Sequence, residues 1–460
     1  MSQVVTRDAQ ASAATFPTVF WTANLTELFE RAAYYSMASF VVIYLGRLGL
    51  GDYWPSTLNG LLWFLVFFLP ILSGAIADQA GFRRSLLVAF VLLTAGYFLM
   101  GYPVWIGGAS LAEKVSSTVT TGLATAAPLA AAILLIGLGG SVIKPTISGT
   151  VQKTHAGRST LAFAIFYMVI NVGSLIGRVV AYFVRTRWAN LSFIFAVAMA
   201  ASVAAFLVVL LLYREPAPAA DAAPAKKRRV GEILLNMVLV LRNGRFALFL
   251  LVSSGFWFLY NQVYNVLPLY VKRVVEPNPA MDLYTAANPV TIVCFQLLIT
   301  KLFGKMKPIR SIVVGTVIIG VSMAINLVPL YAGAGMRAAA LWLPVGSLFI
   351  VMTVALIAFG ELFTSARMYE WVGALAPKGE EGLFLGYVNL PIALGALLGG
   401  PVGAAIFKEI MCRRAVTRPD GLLDLDPASA TLGWVILMAI GFASAASMWL
   451  YNRWLERHGA

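Results

Sequence analysis

Histidine and cysteine are almost missing from this chain: His155, His458, Cys294 and Cys412 are the whole complement in 460 residues. Two cysteines exclude a disulfide framework and a cysteine-built metal cluster. His155 falls in a loop and His458 at the tail, so histidine is not expected to carry protons at membrane depth. Charge is scarce too. Charged residues make up 12% against 60% hydrophobic, and the mean hydropathy is +0.82. These values exclude an ordinary soluble domain and define an all-α polytopic membrane protein surrounded by lipid. No nucleophile–base pair, metal cluster or nucleotide loop is found, so neither an enzyme nor a bound cofactor is expected. Met1–Ala14 is polar and has no apolar run, so no cleavable signal peptide is expected.

What the chain does have is long apolar runs, about twelve, near 16–46, 55–78, 84–102, 125–151, 159–184, 189–213, 246–272, 285–304, 310–331, 339–371, 382–408 and 431–455. The net charge of +14 is distributed by topology. With the N-terminus inside, Arg83, Arg84, Lys153, Lys226–Arg229, Lys301, Lys305, Lys307 and Arg310 all fall in cytoplasmic segments, which take about twice the basic residues of the outer ones. The basic Lys408–Arg418 loop runs against this pattern. Both termini are therefore expected in the cytoplasm, and the charge calls for no nucleic-acid partner. Residues 214–244 interrupt the hydrophobic pattern with Pro216, Pro218, Pro224 and the basic run Lys226–Arg229, a segment suited to a flexible, lipid-facing link. The chain then divides into a six-helix bundle over 1–213, a cytoplasmic linker over 214–244 and a second six-helix bundle over 245–460.

Chemistry concentrates in a few places within the apolar runs. In the first, Glu27, Glu30, Arg31 and Tyr34 fall at i, i+3, i+4 and i+7 and share one helix face. Each ionisable group at that depth costs at least ~2.5–3.5 kcal/mol, so the three charges must be paired or hydrated. An Arg between two Glu can hold one carboxylate ionised and leave the other to take and release a proton, although a structural ion pair would look the same. After the second run, Gly74, Asp78, Gly81, Arg83 and Arg84 form a charged turn in which Asp78 can cap the helix or pair with Arg83 or Arg84. Lys144-Pro145 ends a glycine-rich stretch in the fourth run; Lys144 could snorkel or serve as a fixed cation for an anionic group. Asn171 needs a hydrogen-bond partner in the fifth, where Gly173 and Gly177 allow close packing, and Arg178 beyond them is expected to snorkel. The seventh run offers Trp257, Tyr260, Asn261, Gln262 and Asn265, aromatic walls and amides without charge; Asn288-Pro289 opens the eighth. Glu361 is the one acid deep in the C-terminal half.

Taken in order, these motifs resemble the proton-dependent oligopeptide transporter family of the major facilitator superfamily. The resemblance rests on Glu27-xx-Glu30-Arg31 with Tyr34-Tyr35, the Gly74–Arg84 loop, Lys144-Pro145 and Phe166-Tyr167-xx-Ile170-Asn171-x-Gly173. It continues through Phe256-Trp257-xxxx-Gln262, Asn288-Pro289 and Gly360-Glu361-Leu-xx-Ser365, leading to Ala376-Pro377-Lys378. It implies a major facilitator fold of about twelve helices working by alternating access, as a monomer in a membrane expected to be the bacterial inner membrane. Driven by the proton gradient, such a protein is a symporter importing di- or tripeptides or similar zwitterions. Glu27, Glu30, Arg31 and Glu361 would couple protons. Arg31 and Lys144 would receive the substrate carboxylate; Asn171, Asn288 and Glu361 would face its amino end. Tyr34 and Trp257 would line side-chain pockets, with Asn261 beside them. The chain departs from the family at Asn261, where an acid is usual, and at Ala32, Ala38 and Phe67. It also lacks the extra helix pair that many bacterial members carry between the halves. Those departures weaken peptide specificity and leave open a transporter of another organic anion or amphipathic metabolite, even an exporter. A non-transporting receptor or scaffold is a further alternative, but one that gains little from intramembrane charges.

Overall fold

The computed structural model describes residues 16–113, 115–154, 159–216, 231–232, 235, 238–239, 241–331, 337–340, 342–375 and 387–457. The basic run Lys226–Arg229, the Ala376–Lys378 stretch, His155 and His458 lie outside the described residues. The helices are α1 Thr18–Ala38, α2 Val41–Arg47, α3 Tyr53–Phe68, α4 Pro70–Ala80, α5 Phe82–Trp105, α6 Leu123–Thr154, α7 Ser159–Trp188, α8 Phe193–Leu211, α9 Gly244–Asn261, α10 Val266–Tyr270, α11 Met281–Phe303, α12 Pro308–Ala324, α13 Val345–Leu375, α14 Leu390–Ala405 and α15 Pro427–Arg457. Among the described residues ten helical segments are long and apolar enough to cross a membrane, and the pair Tyr53–Phe68 with Pro70–Ala77, bent by 41°, makes eleven. The remaining expected run is α1, a helix of 21 residues whose three charges lower its hydropathy.

Prolines explain where the helices bend and which side chains mend them. A proline has no N–H, so the carbonyl four residues earlier is left free. Pro145 frees the Ser141 carbonyl inside α6, and Ser73 Oγ on α4 donates to it at 2.8 Å. Pro268 frees the Tyr264 carbonyl, and Asn59 Nδ2 on α3 donates to that oxygen at 3.1 Å. The seventh span is accordingly broken. It passes from α9 through a 3-10 turn at Gln262–Tyr264 to α10, with Asn265 at φ −124° and ψ −80°, and ends in a π turn at Val271–Val275. In lipid such irregular backbone survives only where protein groups satisfy it.

The two halves repeat one packing scheme. In the first, α1 packs on α7 and α8, α5 on α6 and α8, and the bent α3–α4 pair on α6. In the second, α9 packs on α14 and α15, α12 on α13 and α15, and α11 on α13. Mapping α1 to α9, α3–α4 to α11, α5 to α12, α6 to α13, α7 to α14 and α8 to α15 turns one set into the other. The cross-half contacts, α3 with α14 and α7 with α11, exchange under the same mapping, as a two-fold relation requires. The α3–α14 seam is closed by backbone: a Cβ on Gly60 would stand 2.6 Å from the Ala396 carbonyl and 3.2 Å from Gly400 Cα. Small residues permit such an approach, and van der Waals packing drives it in lipid. Two short antiparallel ladders, Ala339–Ala340 with Leu343–Pro344 and Val416–Thr417 with Leu423–Asp424, mark the same end of the bundle as Asp52. Arg337 ties them to the seventh span through Asp424 at 2.8 Å and the Val274 carbonyl at 2.9 Å. We call this the Asp52 end, and the opposite one the Gly81 end.

Candidate functional site

Helix α1 buries its whole charged face. Glu27 and Glu30 are 0% and 1% exposed and Arg31 is 6% exposed. Arg31 Nε hydrogen-bonds Glu30 Oε2 and lies 3.3 Å from Glu27 Oε1. The Glu27 contact lacks hydrogen-bond geometry, and both Glu27 oxygens are without a hydrogen-bond partner among the described residues. The two carboxylates are therefore held unequally: Glu30 is gripped, Glu27 is only neighboured. Helix α7 comes this close because Gly173 and Gly177 face α1; a Cβ on Gly173 would stand 3.0 Å from Arg31 Cβ, and one on Gly177 2.8 Å from Ala32 Cα. The Tyr34 ring, edge-on to Trp63 at 5.9 Å, has a buried hydroxyl with no hydrogen-bond partner among the described residues. Lys144, half-buried on α6, points its Nζ at the Phe67 ring, 5.4 Å from the centroid.

Across the gap, Glu361 on α13 accepts from Asn288 Nδ2 at 3.2 Å and from Ser365 Oγ at 3.4 Å, with Tyr260 as a further hydrogen-bond partner. All three are neutral. Lys144 interacts electrostatically with Glu27, Glu30 and Arg31 on its own side and with Glu361 on the other. The structure thus brings Glu27, Glu30, Arg31 and Glu361 within electrostatic range of Lys144, with Asn288 bonded to Glu361. Trp257 Nε1 donates to Met368 Sδ at 3.3 Å. Trp63 adds an aromatic wall that crosses the junction to Tyr264, 4.9 Å away, and Tyr260, 6.4 Å away. Asn171 is placed differently: its Nδ2 donates to the Tyr167 carbonyl of its own helix at 2.9 Å. Tyr167 itself reaches over to Tyr369 through a hydrogen bond, joining the halves on the Gly81 side of Glu361.

The junction toward the Asp52 end joins the amides of the seventh run to Asn59, which the sequence did not single out. Asn261 Oδ1 accepts from Asn265 Nδ2, Asn265 Oδ1 accepts from Asn59 Nδ2 at 3.1 Å, and Asn261 Nδ2 is buried without a partner among the described residues. Arg178, expected to snorkel, is instead 0% exposed. The turn of α7 that carries it faces the second half, where Nε donates to Thr285 Oγ1 at 3.0 Å and a terminal nitrogen to Tyr264 Oη at 3.2 Å. One signal could have found it: Asn171, Ser174 and Arg178 form a polar stripe at i, i+3 and i+7. Further out, Arg185 pairs with Asp282 at 3.1 Å, and Arg273 pairs with Asp52. Burial pushes the Asp52 carboxyl above its usual range against the pull of Arg273 and Lys408.

At the Gly81 end, Gly74 touches the α6 bend, where a Cβ would stand 3.1 Å from Pro145. Gly81 turns the chain at φ +94°, a conformation open to glycine. Glu215, which the sequence reading passed over, caps α5 by accepting from the Phe82 and Arg83 amides at 2.7 and 2.9 Å. The Arg83 guanidinium donates to the Leu210 carbonyl at 2.7 Å, and Arg84 is exposed. The Asp78 side chain lies outside the described residues. A groove of about 360 Å³ between α4, α5 and α6, lined mainly by Leu69, Leu72, Ile76, Val88 and Leu138 with Arg84 at its edge, is largely apolar and contains none of Glu27, Glu30, Arg31, Lys144 and Glu361. Its lining suits lipid tails.

Two equivalently packed helical halves enclosing buried charge are the architecture of a major facilitator transporter. The family model for the Major Facilitator Superfamily matches residues 115–332. Dipeptide and tripeptide permease A of Edwardsiella piscicida is 24% identical, the match covering 93% of this chain and 92% of the permease. An uncharacterised MFS-type transporter of Mycobacterium tuberculosis is 25% identical over 80% of each chain. The fold superposes on a crystal structure of a peptide transporter of the POT family in complex with sulfate, with TM-score 0.71, 18% identity and coverage of 98% of this chain and 99% of that one. A second POT structure, in complex with 5-aminolevulinic acid, gives TM-score 0.71 at 18% identity and covers 95% of this chain and 96% of that one. The chain is thus similar, over nearly its whole length, to members of the proton-dependent oligopeptide transporter (POT) family and shares their fold.

Proposed function

We propose that the chain is a proton-coupled symporter that imports di- or tripeptides, or zwitterions like them, by alternating access. The observation that carries this reading is the division of charge: Arg31 and Lys144 stand on the first half, and Glu361 with neutral partners faces them from the second. A zwitterion fits with its carboxylate toward the cations and its amino group toward Glu361, a complementarity that fixes orientation. Glu27 is the natural proton carrier, because Arg31 grips Glu30 while the Glu27 oxygens are unbonded. A proton on the cluster frees Arg31 for the substrate carboxylate. Names carried by the permease relatives support the peptide assignment.

The sidedness follows the charge pattern, with both termini and the 214–244 linker between bundles 1–213 and 245–460 in the cytoplasm of a bacterial inner membrane. The Asp52 end is then outside. Its cross-half pairs, Asp52–Arg273 and Arg185–Asp282, keep it shut in this conformation. The protein would act as a monomer on protons and a small substrate, with no cofactor. A different organic anion is the second reading, favoured by the neutral Asn261–Asn265 cluster and by the apolar Ala38 and Phe67.

Labelled dialanine offered to proteoliposomes under an inward proton gradient tests the first reading. The expected result is accumulation that a protonophore collapses and that Glu361→Gln abolishes. Undiminished accumulation by Glu361→Gln removes that residue from coupling, and no uptake by folded wild-type protein moves the assignment to the second reading.

A further inference from the structure

Arg178 is a fully buried cation whose partners are all neutral. Besides Thr285 and Tyr264, its guanidinium donates to the carbonyl and hydroxyl of Ser174 and lies over the Tyr35 ring, 4.4 Å from the centroid. No carboxylate is paired with it among the described residues. The nearby acid of α11, Asp282, is already taken by Arg185. A guanidinium buried without a counter-charge is costlier than an apolar side chain filling the same space. Leucine would close this junction at lower cost. The charge therefore points to a second state of the protein, in which the guanidinium meets water or an anion.

The placement of its partners points to the movement that would produce that state. The bonds to Thr285 and Tyr264 both cross between the halves, as does the neighbouring Ser39–Thr285 contact at 2.6 Å. Ser174 and Tyr35, in contrast, belong to the same half as Arg178. Parting the halves at the Asp52 end breaks the crossing bonds and leaves Arg178 on the wall of the opening, still braced by Ser174 and Tyr35. Arg31, deeper along the same path, is already paired with two carboxylates, whereas Arg178 has no anion to give up.

We propose that Arg178 is the residue that first receives the carboxylate of a substrate entering from the Asp52 end. Its neutral cross-half bonds close that end again once the anion has moved on to Arg31 and Lys144. This inference rests on the sidedness and zwitterion reading above, so its test has one arm that needs dialanine transport and one that does not.

The transport arm compares R178Q and R178K in proteoliposomes. With R178Q the KM for external dialanine rises about tenfold while the maximal rate stays within about twofold, and R178K recovers most of the KM. A lowered maximal rate with unchanged KM overturns the proposal and makes Arg178 a packing bolt only. The second arm keeps Arg178 and places a cysteine beside it, Ser174→Cys, in a background with Cys294→Ser and Cys412→Ser. An anionic ethylsulfonate and a cationic trimethylammonium methanethiosulfonate are applied from outside intact cells. The anionic reagent reacts at least tenfold faster, relative to the same pair on free cysteine, if Arg178 lines an opened entry path. No reaction, or a ratio equal to that of free cysteine, overturns the proposal whether or not dialanine proves to be a substrate.

Discussion

Helices α1 and α9 occupy equivalent places in the two halves and solve the same problem in opposite ways. Both carry polar groups at membrane depth, but α1 carries them as charges and stays regular for 21 residues, while α9 carries amides and breaks at Asn261. The regular helix brings Glu27 to Arg31 across one turn, at i and i+4, and so sets it beside the neighbouring Glu30–Arg31 pair. Past the end of α9, neutral amides mend the broken backbone: Asn265 fills the Asn261 carbonyl, and Asn59 on α3 fills the Tyr264 carbonyl that Pro268 frees. Charge at depth thus depends on helical order here, and backbone disorder at depth depends on neutral donors. The first half is suited to hold charge in a fixed place, and the second to bend.

The largest effect expected from breaking this contrast is at Arg31. Arg31→Met leaves two buried carboxylates without their cation, and losing one partner of a buried pair costs roughly 3–5 kcal/mol. Thermal unfolding in detergent should fall sharply and dialanine uptake should vanish. Adding Glu27→Gln and Glu30→Gln to Arg31→Met should restore most of the stability and none of the uptake. A triple variant as unstable as the single one would show that Arg31 acts through packing and not through charge.

A smaller effect is expected on the α9 side. Asn59→Leu leaves the Tyr264 carbonyl unpaired, a loss of about 1–3 kcal/mol for a buried group. Pro268→Ala supplies the missing N–H from within the helix, so Asn59→Leu should cost measurably less in that background. The double-mutant cycle on unfolding midpoints reads this coupling directly. Equal costs in both backgrounds would mean that Asn59 matters through Asn265 and not through the broken backbone.

The sequence makes the charged half of this contrast legible and leaves the bent half obscure, for a physical reason. Glu27, Glu30, Arg31, Lys144 and Glu361 stand out because a charge in an apolar run needs an explanation wherever it points. Asn59, Ser73 and Glu215 do not stand out, since their roles depend on carbonyls or amides freed elsewhere in the chain. Arg178 shows the limit from the other direction. Its distance from the end of the span suggested the surface, yet the facing of α7 buries it. Helix existence and order follow from hydrophobic runs; which face of α7 meets the second half does not.

The smallest effect expected lies at the other proline, in the fourth span, where the contrast between the halves narrows. Pro145 opens α6 much as Pro268 opens the seventh span, but one hydroxyl, Ser73 Oγ on α4, is enough to fill the freed Ser141 carbonyl. Side-chain hydrogen bonds between membrane helices average about 0.6 kcal/mol, so Ser73→Ala should lower the unfolding midpoint only slightly. Its consequence for transport should be larger than for stability, because Lys144 immediately precedes the bend and its aim depends on how α4 holds it. The expected signature is a raised KM for dialanine at nearly unchanged stability, with Ser73→Thr, which keeps the hydroxyl, close to wild type. If Ser73→Ala changes neither, the bend of α6 is set by Gly74 against Pro145 alone, and the hydroxyl only occupies a carbonyl that would otherwise be dry.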